Sequence, residues 1–318
     1  TVGSGASRRS AGLHFPRGGT GRVREMSGYS ESYYRTLQQN HPSLPIYPLP
    51  ATSIITTGER VAQMRSTYLG RANITPIGQL PNADVRAPSD ASLWRIDGCH
   101  QADVYGVSQA LACELRSQVA FREGLRVTGL ESSDSGVVLR LGSGATMRSD
   151  QVVLAPGPWL YAPAWRELVA PLGMRVKKIV ALHVEQIPGP EDRAVIFHDE
   201  DAFLIPVVNR GHWLFSYTCQ EWDVEPDLLV DGLSAANIEQ ARECLRRYSP
   251  KLAEFCTSGR VFCDAYSANG EPQVQTLDEA GRIVFAGGAN GSGYRLAPAI
   301  ASQAADLLHL PSELRSAG

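Results

Sequence analysis

The amino-acid sequence predicts a mixed α/β fold in which one α/β domain and one domain rich in β-sheet are interleaved along the chain. The chain has 318 residues, and at roughly 150 residues per domain this length accommodates about two domains. Strand, Gly-rich loop and helix patterns follow one another near the C-terminus, whereas β-rich runs joined by turns dominate residues 176–218. With 43% hydrophobic and 20% charged residues, the composition favours a large apolar core.

The first half of the chain alternates between helical and extended patterns. A stretch rich in Gly, Ser and Arg, residues 3–21, precedes apolar residues at helical spacing. Asp103 is placed to cap a second helix, because a carboxylate accepts hydrogen bonds from the free N–H groups of a first turn. The patterns predict helices over 22–39 and 103–118 and strands over 53–57, 125–131, 136–141 and 151–154.

The second half predicts an antiparallel region followed by a return to α/β character. Turns rich in Pro, Gly and Asn separate four extended runs, and an amphipathic run then ends before Pro250. A short buried strand, a loop with four glycines and a final helix follow. These patterns predict strands over 176–187, 194–198, 202–208, 213–218 and 283–286, a Gly-rich loop over 287–293, and helices over 235–247 and 298–310.

Charge, hydropathy and cysteine spacing exclude several functional classes. Lys plus Arg number 30 and Asp plus Glu 33, a net charge of -3, whereas binding to a phosphate backbone favours a basic surplus, so we expect no nucleic-acid partner. No apolar run reaches the ~20 residues of a bilayer span, and the first residues lack a signal-peptide core. We therefore expect no membrane span and a cytoplasmic protein. The six cysteines lack the spacing of a metal site, so we expect no metal and reduced thiols.

Two segments have the residues of ligand-binding loops. In 284–300, glycines between a strand and a helix would let backbone N–H groups approach a ligand, and the positive end of the helix favours an anionic or electron-accepting ring. The same glycines would also suit a tight connection with no ligand. In 152–159, a buried strand turns sharply at Gly157 and Pro158, and a simple strand-end turn is the alternative there.

Three motifs occur along the chain in a fixed order. Residues 3–13 read Gly-Ser-Gly-Ala-Ser-Arg-Arg-Ser-Ala-Gly-Leu, residues 152–159 Val-Val-Leu-Ala-Pro-Gly-Pro-Trp, and residues 288–298 Gly-Ala-Asn-Gly-Ser-Gly-Tyr-Arg-Leu-Ala-Pro. Their order and spacing resemble, over nearly the whole chain, the D-amino-acid-oxidase-like family of FAD-dependent amine oxidoreductases, which includes glycine oxidase, sarcosine oxidase and D-amino acid dehydrogenase. The third motif is the most specific of the three.

The resemblance implies a Rossmann-like FAD-binding domain made of discontinuous segments and a substrate domain built on an antiparallel sheet. It also implies FAD as the cofactor. The FAD-binding domain is expected to comprise residues 1–46, 97–165 and 260–318. The substrate domain is expected to comprise 47–96 and 166–259.

Carried over position by position, the resemblance also implies site residues. Arg295 stands where sarcosine-oxidase-like members place a cation for the substrate carboxylate. Tyr266, Tyr217, His14 and His198 are further candidates for the substrate pocket, although a His or Tyr in a strand is more often a core residue. The residues expected to contact the cofactor are Ser7, Arg8, Ala11, Gly12, Leu13, Val127, Ala155, Gly157, Trp159, Gly288, Gly291, Ser292, Gly293, Tyr294 and Leu296.

One cysteine is a candidate for covalent attachment of the flavin. Sarcosine-oxidase-like members bind flavin through a Cys two residues before a Tyr on the corresponding strand. Here Cys263 precedes Tyr266 by three residues, so the two side chains fall on opposite faces of a strand. We therefore do not expect a covalent link.

The sequence departs from the family at its opening motif. No Gly-x-Gly-x-x-Gly occurs in the 318 residues, and with it the strand, loop and helix that anchor a pyrophosphate are missing. We expect an N-terminal segment or fragment to complete the FAD site. The alternative is a non-catalytic scaffold of the same fold that has lost FAD.

The expected reaction is the oxidation of an amino acid or related amine. Hydride transfer from the carbon bearing the amine to flavin N5 would give an imine. The partners would then be a small amine or amino acid and dioxygen or another electron acceptor. A flavoenzyme acting on a non-amine substrate shares the cofactor and remains an alternative.

Overall fold

The computed structural model describes residues 1–68 and 73–308. Its helices are α1 Ala6–Arg9, α2 Gly21–Asn40, α3 Val61–Thr67, α4 Val104–Leu115, α5 Arg166–Val169, α6 Ala235–Arg246, α7 Pro250–Glu254 and α8 Gly293–Leu307. Its strands are β1 Leu13–His14, β2 Ile46–Leu49, β3 Thr52–Thr57, β4 Ile74–Pro76, β5 Ala91–Ile96, β6 Cys99–Ala102, β7 Val127–Ser133, β8 Gly136–Leu141, β9 Thr146–Ser149, β10 Val152–Leu154, β11 Arg175–Val184, β12 Val195–Phe197, β13 Ala202–Val207, β14 His212–Tyr217, β15 Cys256–Tyr266, β16 Gln273–Thr276 and β17 Ile283–Gly287.

The largest sheet has eight strands in the order β15-β11-β14-β13-β12-β3-β5-β4. Its neighbouring strands are antiparallel except for β12 and β3, which are parallel. One face packs against α6 and α7, where Phe197, Trp213 and Phe215 meet Leu245 and Leu252. Burial of each such side chain contributes roughly 1.5–3 kcal/mol. The other face of β11 and β15 is left to form the wall of a cavity.

A smaller sheet contains the parallel pair expected of a Rossmann-like domain. Its order is β10-β17-β16, with β10 and β17 parallel. Helix α8 packs on β17 through Ala304, and α2 packs on α8 through Val23 and Met26. Within residues 1–68 and 73–308, no strand pairs with the second edge of β10. The mixed α/β class is therefore confirmed, with a Rossmann-like sheet in which β10 is an edge strand.

Two further sheets are three-stranded and antiparallel, β1-β6-β2 and β7-β8-β9. The sequence patterns do not predict the strands β1, β2, β4, β5, β6, β9, β15 and β16, nor the helices α1, α3, α5 and α7. Except for β15, these elements are short, and their formation depends on the partners that they meet in the fold rather than on their own residue pattern.

Two of the predicted helices are confirmed, α4 together with its predicted capping residue and α2 with a cap that was not predicted. The carboxylate of Asp103 accepts a hydrogen bond from the N–H of Gly106 at 3.0 Å, in the first turn of α4. The hydroxyl of Thr20 accepts one from the N–H of Val23 at 3.2 Å and begins α2. Each bond satisfies one of the N–H groups that the first turn of a helix leaves free.

The prediction that the last helix begins at Pro298 is wrong, because α8 begins at Gly293 and contains Pro298 in its interior. Proline has no N–H, so the carbonyl of Tyr294, four residues earlier, loses its helical donor. The hydroxyl of Tyr34 in α2 donates to that carbonyl instead, at 2.6 Å. A side chain distant in sequence thus makes a helix possible where the local pattern predicts a loop. The predicted end at residue 310 lies outside the described residues.

The predicted domain boundary at residue 260 falls inside β15, which pairs with β11 from Cys256 to Tyr266. The end of this strand also forms a bridge to Ala289 in the Gly-rich loop. The same strand therefore belongs to the large sheet and contacts the loop before α8. The division into two domains stays a prediction.

None of the helices in the part of the chain that the structure describes is long and apolar enough to cross a membrane. All six cysteines are free thiols, and five of them are buried.

Candidate active site

Two adjoining cavities lie where the Gly-rich loop before α8 meets the large sheet. The first has a volume of about 380 Å³ and is lined by Ala6, Ser7 and several residues between 10 and 19, by β11 and β15, and by residues 289–296. The second has a volume of about 530 Å³ and lies between β10, β17 and α8. The residues that line both cavities are Ala6, Asp264, Ala289, Asn290, Gly291 and Gly293.

The Gly-rich loop is held in a left-handed backbone conformation. Gly288 has φ +65° and Gly291 φ +74°. A Cβ atom added at Gly288 would lie 2.9 Å from Sδ of Met174, and one added at Gly291 would lie 2.9 Å from the hydroxyl of Tyr266. The positive φ angles favour glycine at both positions, and a side chain there would also have to displace the end of the Met174 or the Tyr266 side chain.

The side chain of Asn290 fixes this loop against the end of β15. Its Oδ1 accepts a hydrogen bond from the N–H of Ser267 at 2.9 Å, and its Nδ2 donates to the carbonyl of Gly288 at 2.8 Å. The backbone N–H of Asn290 also donates to the carbonyl of Ala265 at 3.2 Å. The loop therefore has a defined shape before any ligand binds.

The N-terminus of α8 opens toward the same space. Ser292 precedes the helix, but its hydroxyl accepts no hydrogen bond from the backbone N–H groups of the first turn. The first N–H groups of a helix have no acceptor within the helix and carry partial positive charge. Here they belong to Gly293, Tyr294 and Arg295, all of which line the first cavity. This end of α8 is suited to an anion or to a ring that gains negative charge.

Arg295 is a cation on the wall of the first cavity with no carboxylate partner. Its Nη2 donates to the hydroxyl of Ser292, and its guanidinium lies 4.6 Å from the centre of the Phe15 ring. It forms no ion pair with any residue in 1–68 or 73–308, and its Nε has no hydrogen-bond partner there. Burial and the nearby Arg17 lower the pKa of Arg295 to about 10, so it remains charged at neutral pH.

A second arginine, which the sequence analysis does not single out, faces the same cavity. Arg17 pairs with Asp201 at 3.3 Å and lies 5.7 Å from the centre of the Phe15 ring. The guanidinium groups of Arg17 and Arg295 thus both lie beside the ring of Phe15. The only signal for Arg17 in the sequence is its place at the end of the Gly-rich and Ser-rich opening stretch.

The inner face of β11 and β15 brings Tyr266 together with two charged residues that the sequence analysis also misses. Lys177 and Asp264 are directly opposite each other on the two strands, and Asp264 and Tyr266 are on one face because they are two residues apart. All three line the first cavity. The Nζ of Lys177 lies 4.8 Å from the centre of the Trp222 ring and 5.4 Å from that of Tyr266.

The other candidates for the substrate pocket have different surroundings. Tyr217 lines the first cavity, but its hydroxyl donates to Gln240 of α6 at 3.0 Å. His14 is fully buried, stacks on His100 at 4.6 Å, and lies on the wall of neither cavity. Burial lowers its pKa to about 2, so His14 is neutral at pH 7. His198 is also off both walls, and burial lowers its pKa.

Most of the predicted cofactor contacts lie together on the cavity walls. Those that do are Ser7, Ala11, Gly12, Leu13, Ala155, Gly157, Gly288, Gly291, Ser292, Gly293, Tyr294 and Leu296. Arg8, Val127 and Trp159 are on neither wall. The guanidinium of Arg8 lies 5.6 Å from the ring of Tyr105, and the indole N–H of Trp159 donates to Asp227 at 2.8 Å. Cys263 packs in a core cluster, on the strand face opposite to Asp264.

The second cavity has an apolar wall of small side chains. Ala297, Ala301, Ala304 and Ala305 line it from α8. Val153, in the edge strand β10, is 42% exposed although it belongs to a parallel pair of strands. Both faces of a parallel sheet are normally covered by other elements. The second cavity is therefore an open apolar surface beside the Gly-rich loop.

A model of the family described as FAD dependent oxidoreductase matches residues 1–307. The chain belongs to this family. No curated protein sequence matches the chain significantly.

Solved structures of three enzymes have the same fold. Glycine oxidase from Geobacillus kaustophilus superposes with a TM-score of 0.78 at 19% identity, over 97% of this chain and 85% of the other. L-proline dehydrogenase from P. horikoshii gives 0.77 at 13% identity, over 96% and 84%. Iminodiacetate oxidase from Chelativorans sp. BNC1 gives 0.73 at 14% identity, over 96% and 87%. At these identities the likeness establishes the fold.

The cavities of this FAD dependent oxidoreductase fit the ring end of the cofactor. Gly288 and Gly291 present backbone without a side chain on the cavity walls, the free end of α8 supplies N–H groups, and nothing lies within 4 Å of the position of a Cβ on Gly293. Flat apolar space beside backbone donors is what a flavin ring requires. The 318 residues contain no Gly-x-Gly-x-x-Gly for the pyrophosphate, so the fit applies to the flavin end of FAD.

Proposed function

We propose that this member of the FAD dependent oxidoreductase family oxidises a small amino acid or related amine that carries a carboxylate. The observation that carries the proposal is Arg295, a charged guanidinium without an acidic partner, two residues beyond the Gly-rich loop. A cation on a cavity wall requires an anion, and the planar fork of a guanidinium matches a carboxylate. The alternative expected for an ordinary arginine, a salt bridge, is absent among the described residues.

The names of three structural neighbours support the same class of substrate, whereas a fourth is named as an oxidoreductase of a fructosyl amine. The three are a glycine oxidase, an L-proline dehydrogenase and an iminodiacetate oxidase. Each name refers to a substrate with a nitrogen and a carboxylate in one small molecule. The first cavity, on whose wall Arg295 lies, would hold a small ligand of this kind beside the cofactor.

When bound, FAD supplies the oxidising chemistry by accepting a hydride from the carbon that bears the amine. Arg295 would bind the carboxylate and so fix the orientation of that carbon, and each charge-assisted hydrogen bond contributes roughly 1.5–3 kcal/mol. Phe15, beneath the guanidinium, keeps it in place and excludes water from one side. The first-turn N–H groups of α8 would stabilise negative charge on the ring system. The product would be an imine, with dioxygen or another acceptor taking the electrons.

The cofactor would be held by residues that line the two cavities. We assign this role to Ser7, Ala11, Gly12 and Leu13 of the opening stretch, Ala155 and Gly157 after β10, and Gly288, Gly291, Ser292, Gly293, Tyr294 and Leu296 around the Gly-rich loop. The unpaired edge of β10 and the alanine face of α8 are where a further strand, loop and helix would pack to hold the pyrophosphate.

Replacement of Arg295 tests the proposed function. With FAD bound, amino acids and simple amines are assayed for hydrogen peroxide, for ammonia and for reduction of an artificial electron acceptor. Arg295→Met should lower kcat/KM for the best amino acid on the order of 10- to 1,000-fold, and Arg295→Lys should lower it less because one charge survives. Flavin content should stay normal. An Arg295→Met variant that oxidises a carboxylate substrate as well as the parent would overturn the proposal.

A second candidate, a scaffold that has lost FAD, is favoured by the missing Gly-x-Gly-x-x-Gly. We expect these 318 residues to bind FAD weakly unless a strand, loop and helix carrying that motif is supplied in the same protein or as a fragment. The visible spectrum and the retained flavin, measured with and without the added unit, check this. Tight stoichiometric FAD without the unit would contradict the expectation, and no FAD in either preparation would favour the scaffold.

A further inference from the structure

Asp264 is a carboxylate in the first cavity that no side chain of the described residues neutralises. It lies on β15 with its side chain on the face that forms the cavity wall, and it lines both cavities. Its backbone pairs with β11, but within residues 1–68 and 73–308 its carboxyl group makes no hydrogen bond and no ion pair. Buried charges in proteins are normally paired. The carboxylate of Asp264 thus has a free position for a cation.

The nearest cation by strand register, Lys177, is engaged elsewhere. Lys177 and Asp264 are cross-strand partners, yet the Nζ of Lys177 lies over the rings of Trp222 and Tyr266 at 4.8 and 5.4 Å from their centres. A cation that interacts with two aromatic faces has its charge partly satisfied there. No ion pair joins it to Asp264 in the part of the chain described.

The other charged and titratable groups near Asp264 do not supply a counter-ion either. Cys263 and Tyr266 on its own strand are neutral at pH 7, since burial raises the pKa of both. Asp201, beyond β12, is an acid that pairs with Arg17. From α8, Arg295 donates to Ser292 and lies over Phe15. Among the described residues on the cavity wall, Asp264 is thus an acid without an ion pair, and Arg295 and Lys177 are bases without one.

We propose that Asp264 binds the ammonium group of the substrate and accepts a proton from it before oxidation. This inference rests on the proposed function and specifies its substrate as an amino acid bound as a zwitterion, with its carboxylate on Arg295. In the step, one N–H bond of the ammonium breaks and the proton passes to a carboxylate oxygen of Asp264. The nitrogen keeps the electron pair, and the proton leaves to water when the product departs.

The position of Asp264 suits this role. Tyr266, on the same face two residues later, contacts the Gly-rich loop at Gly291, so that face of β15 and the loop border one space. Burial raises the pKa of Asp264 to about 7. A proton acceptor works best when its pKa is near the working pH. A neutral amine is needed because an ammonium nitrogen has no electron pair with which to assist the loss of a hydride from carbon.

The pairing is tested with glycine betaine, which has a permanent positive charge, a carboxylate and no N–H. Binding to the flavin-loaded enzyme is measured by calorimetry between pH 6 and 8. In the parent, affinity should rise up to roughly 10-fold as Asp264 ionises around pH 7. In Asp264→Asn it should be weaker at pH 8 and independent of pH. Acetate, which lacks the cation, should bind Asp264→Asn at least as tightly as the parent.

Asp223→Asn is the matched control, because Asp223 is an exposed acid paired with Arg175 at the edge of the same sheet. Its betaine binding should follow that of the parent. Betaine binding that is unchanged in Asp264→Asn, or absent in the parent, overturns the pairing.

Proton transfer is tested by the pH dependence of kcat/KM with an amino acid. The parent should show a rise centred near pH 7, and in Asp264→Asn the rise should move up to the pKa of the free amine. An unchanged profile overturns the transfer. The two proposals fail separately: betaine pairing without any amine oxidation contradicts the proposed function, whereas oxidation with Asp264→Asn unaffected contradicts the role of Asp264.

Discussion

Tyr34 of α2 stabilises α8, because its hydroxyl replaces a helical hydrogen bond that Pro298 cannot donate. Its hydroxyl donates to the carbonyl of Tyr294 at 2.6 Å, the carbonyl that Pro298 leaves without a helical donor. Tyr34→Phe keeps the ring stacked on Tyr294 but leaves a buried carbonyl unpaired. We expect a loss of about 1–3 kcal/mol in the free energy of unfolding, measured by urea denaturation.

Tyr33→Phe is the control for this prediction. Tyr33 lies on the same helix and packs against Tyr34, and removal of its half-buried hydroxyl should change the free energy of unfolding by less than about 0.5 kcal/mol. Equal losses in the two variants would mean that the carbonyl of Tyr294 does not depend on Tyr34.

Individual site residues differ in how far the sequence predicts them. Arg295 follows a recognisable Gly-rich motif, so its place beside the loop could be predicted. Asp264 and Lys177 could not, because their position on one wall depends on the register between two strands more than eighty residues apart. His14 shows the opposite difficulty. Its residue type suggests chemistry, but the fold buries it beside His100 without a hydrogen-bond partner.

The sequence predicts the Gly-rich loop fully and α8 only in part. The pattern of β17, the loop and the final helix predicts all three, and their order is confirmed. The helix start was predicted five residues too late because proline is normally excluded from helix interiors. The donor that compensates for it comes from α2, and no local pattern contains that information.

Gly291 and Gly293 differ in the structure and should differ in their variants. Gly291 has φ +74° and a Cβ there would lie 2.9 Å from the hydroxyl of Tyr266. Gly291→Val should therefore displace the loop, at on the order of 1–3 kcal/mol of strain, and lose flavin. Gly293 has open space around it, so Gly293→Val should keep the fold stable and lose flavin only because the added side chain occupies the space of the ring.

Both variants are compared by thermal unfolding without flavin and by retained FAD. We expect a lower melting temperature for Gly291→Val alone, and less FAD for both. Normal FAD content in Gly293→Val would indicate that the space before α8 does not hold the flavin ring. In that case the loop would be only a connection between β17 and α8.

For the whole molecule, buried titratable groups determine how stability depends on pH. Burial lowers the pKa of His14 to about 2 and that of His100 to about 4, from 6.5. Between about pH 4 and 6.5 the unfolded chain therefore binds protons that the folded chain does not, and stability rises with pH. Burial raises the pKa of Asp264 from 3.8 to about 7, so in the same range the folded chain keeps one proton that the unfolded chain has lost, and this term opposes the rise.

The opposing signs give a prediction that two substitutions check. Each proton of difference changes the free energy of unfolding by about 1.4 kcal/mol per pH unit. Two histidines against one carboxyl should make the protein more stable at pH 6.5 than at pH 4.5, and the lowered pKa values of His183 and His198 act in the same direction. Asp264→Asn should make the free energy of unfolding rise more steeply with pH, by about 1.4 kcal/mol per pH unit, because one opposing proton is removed. His14→Leu should make it rise less steeply by about the same amount. Both changes in slope are expected whatever the substitutions do to stability at a single pH. Urea unfolding at pH 4.5, 5.5 and 6.5 measures the slopes. A slope that Asp264→Asn leaves unchanged would mean that this carboxyl is already ionised in the folded protein at pH 4.5, and so has a neutralising partner in the cavity.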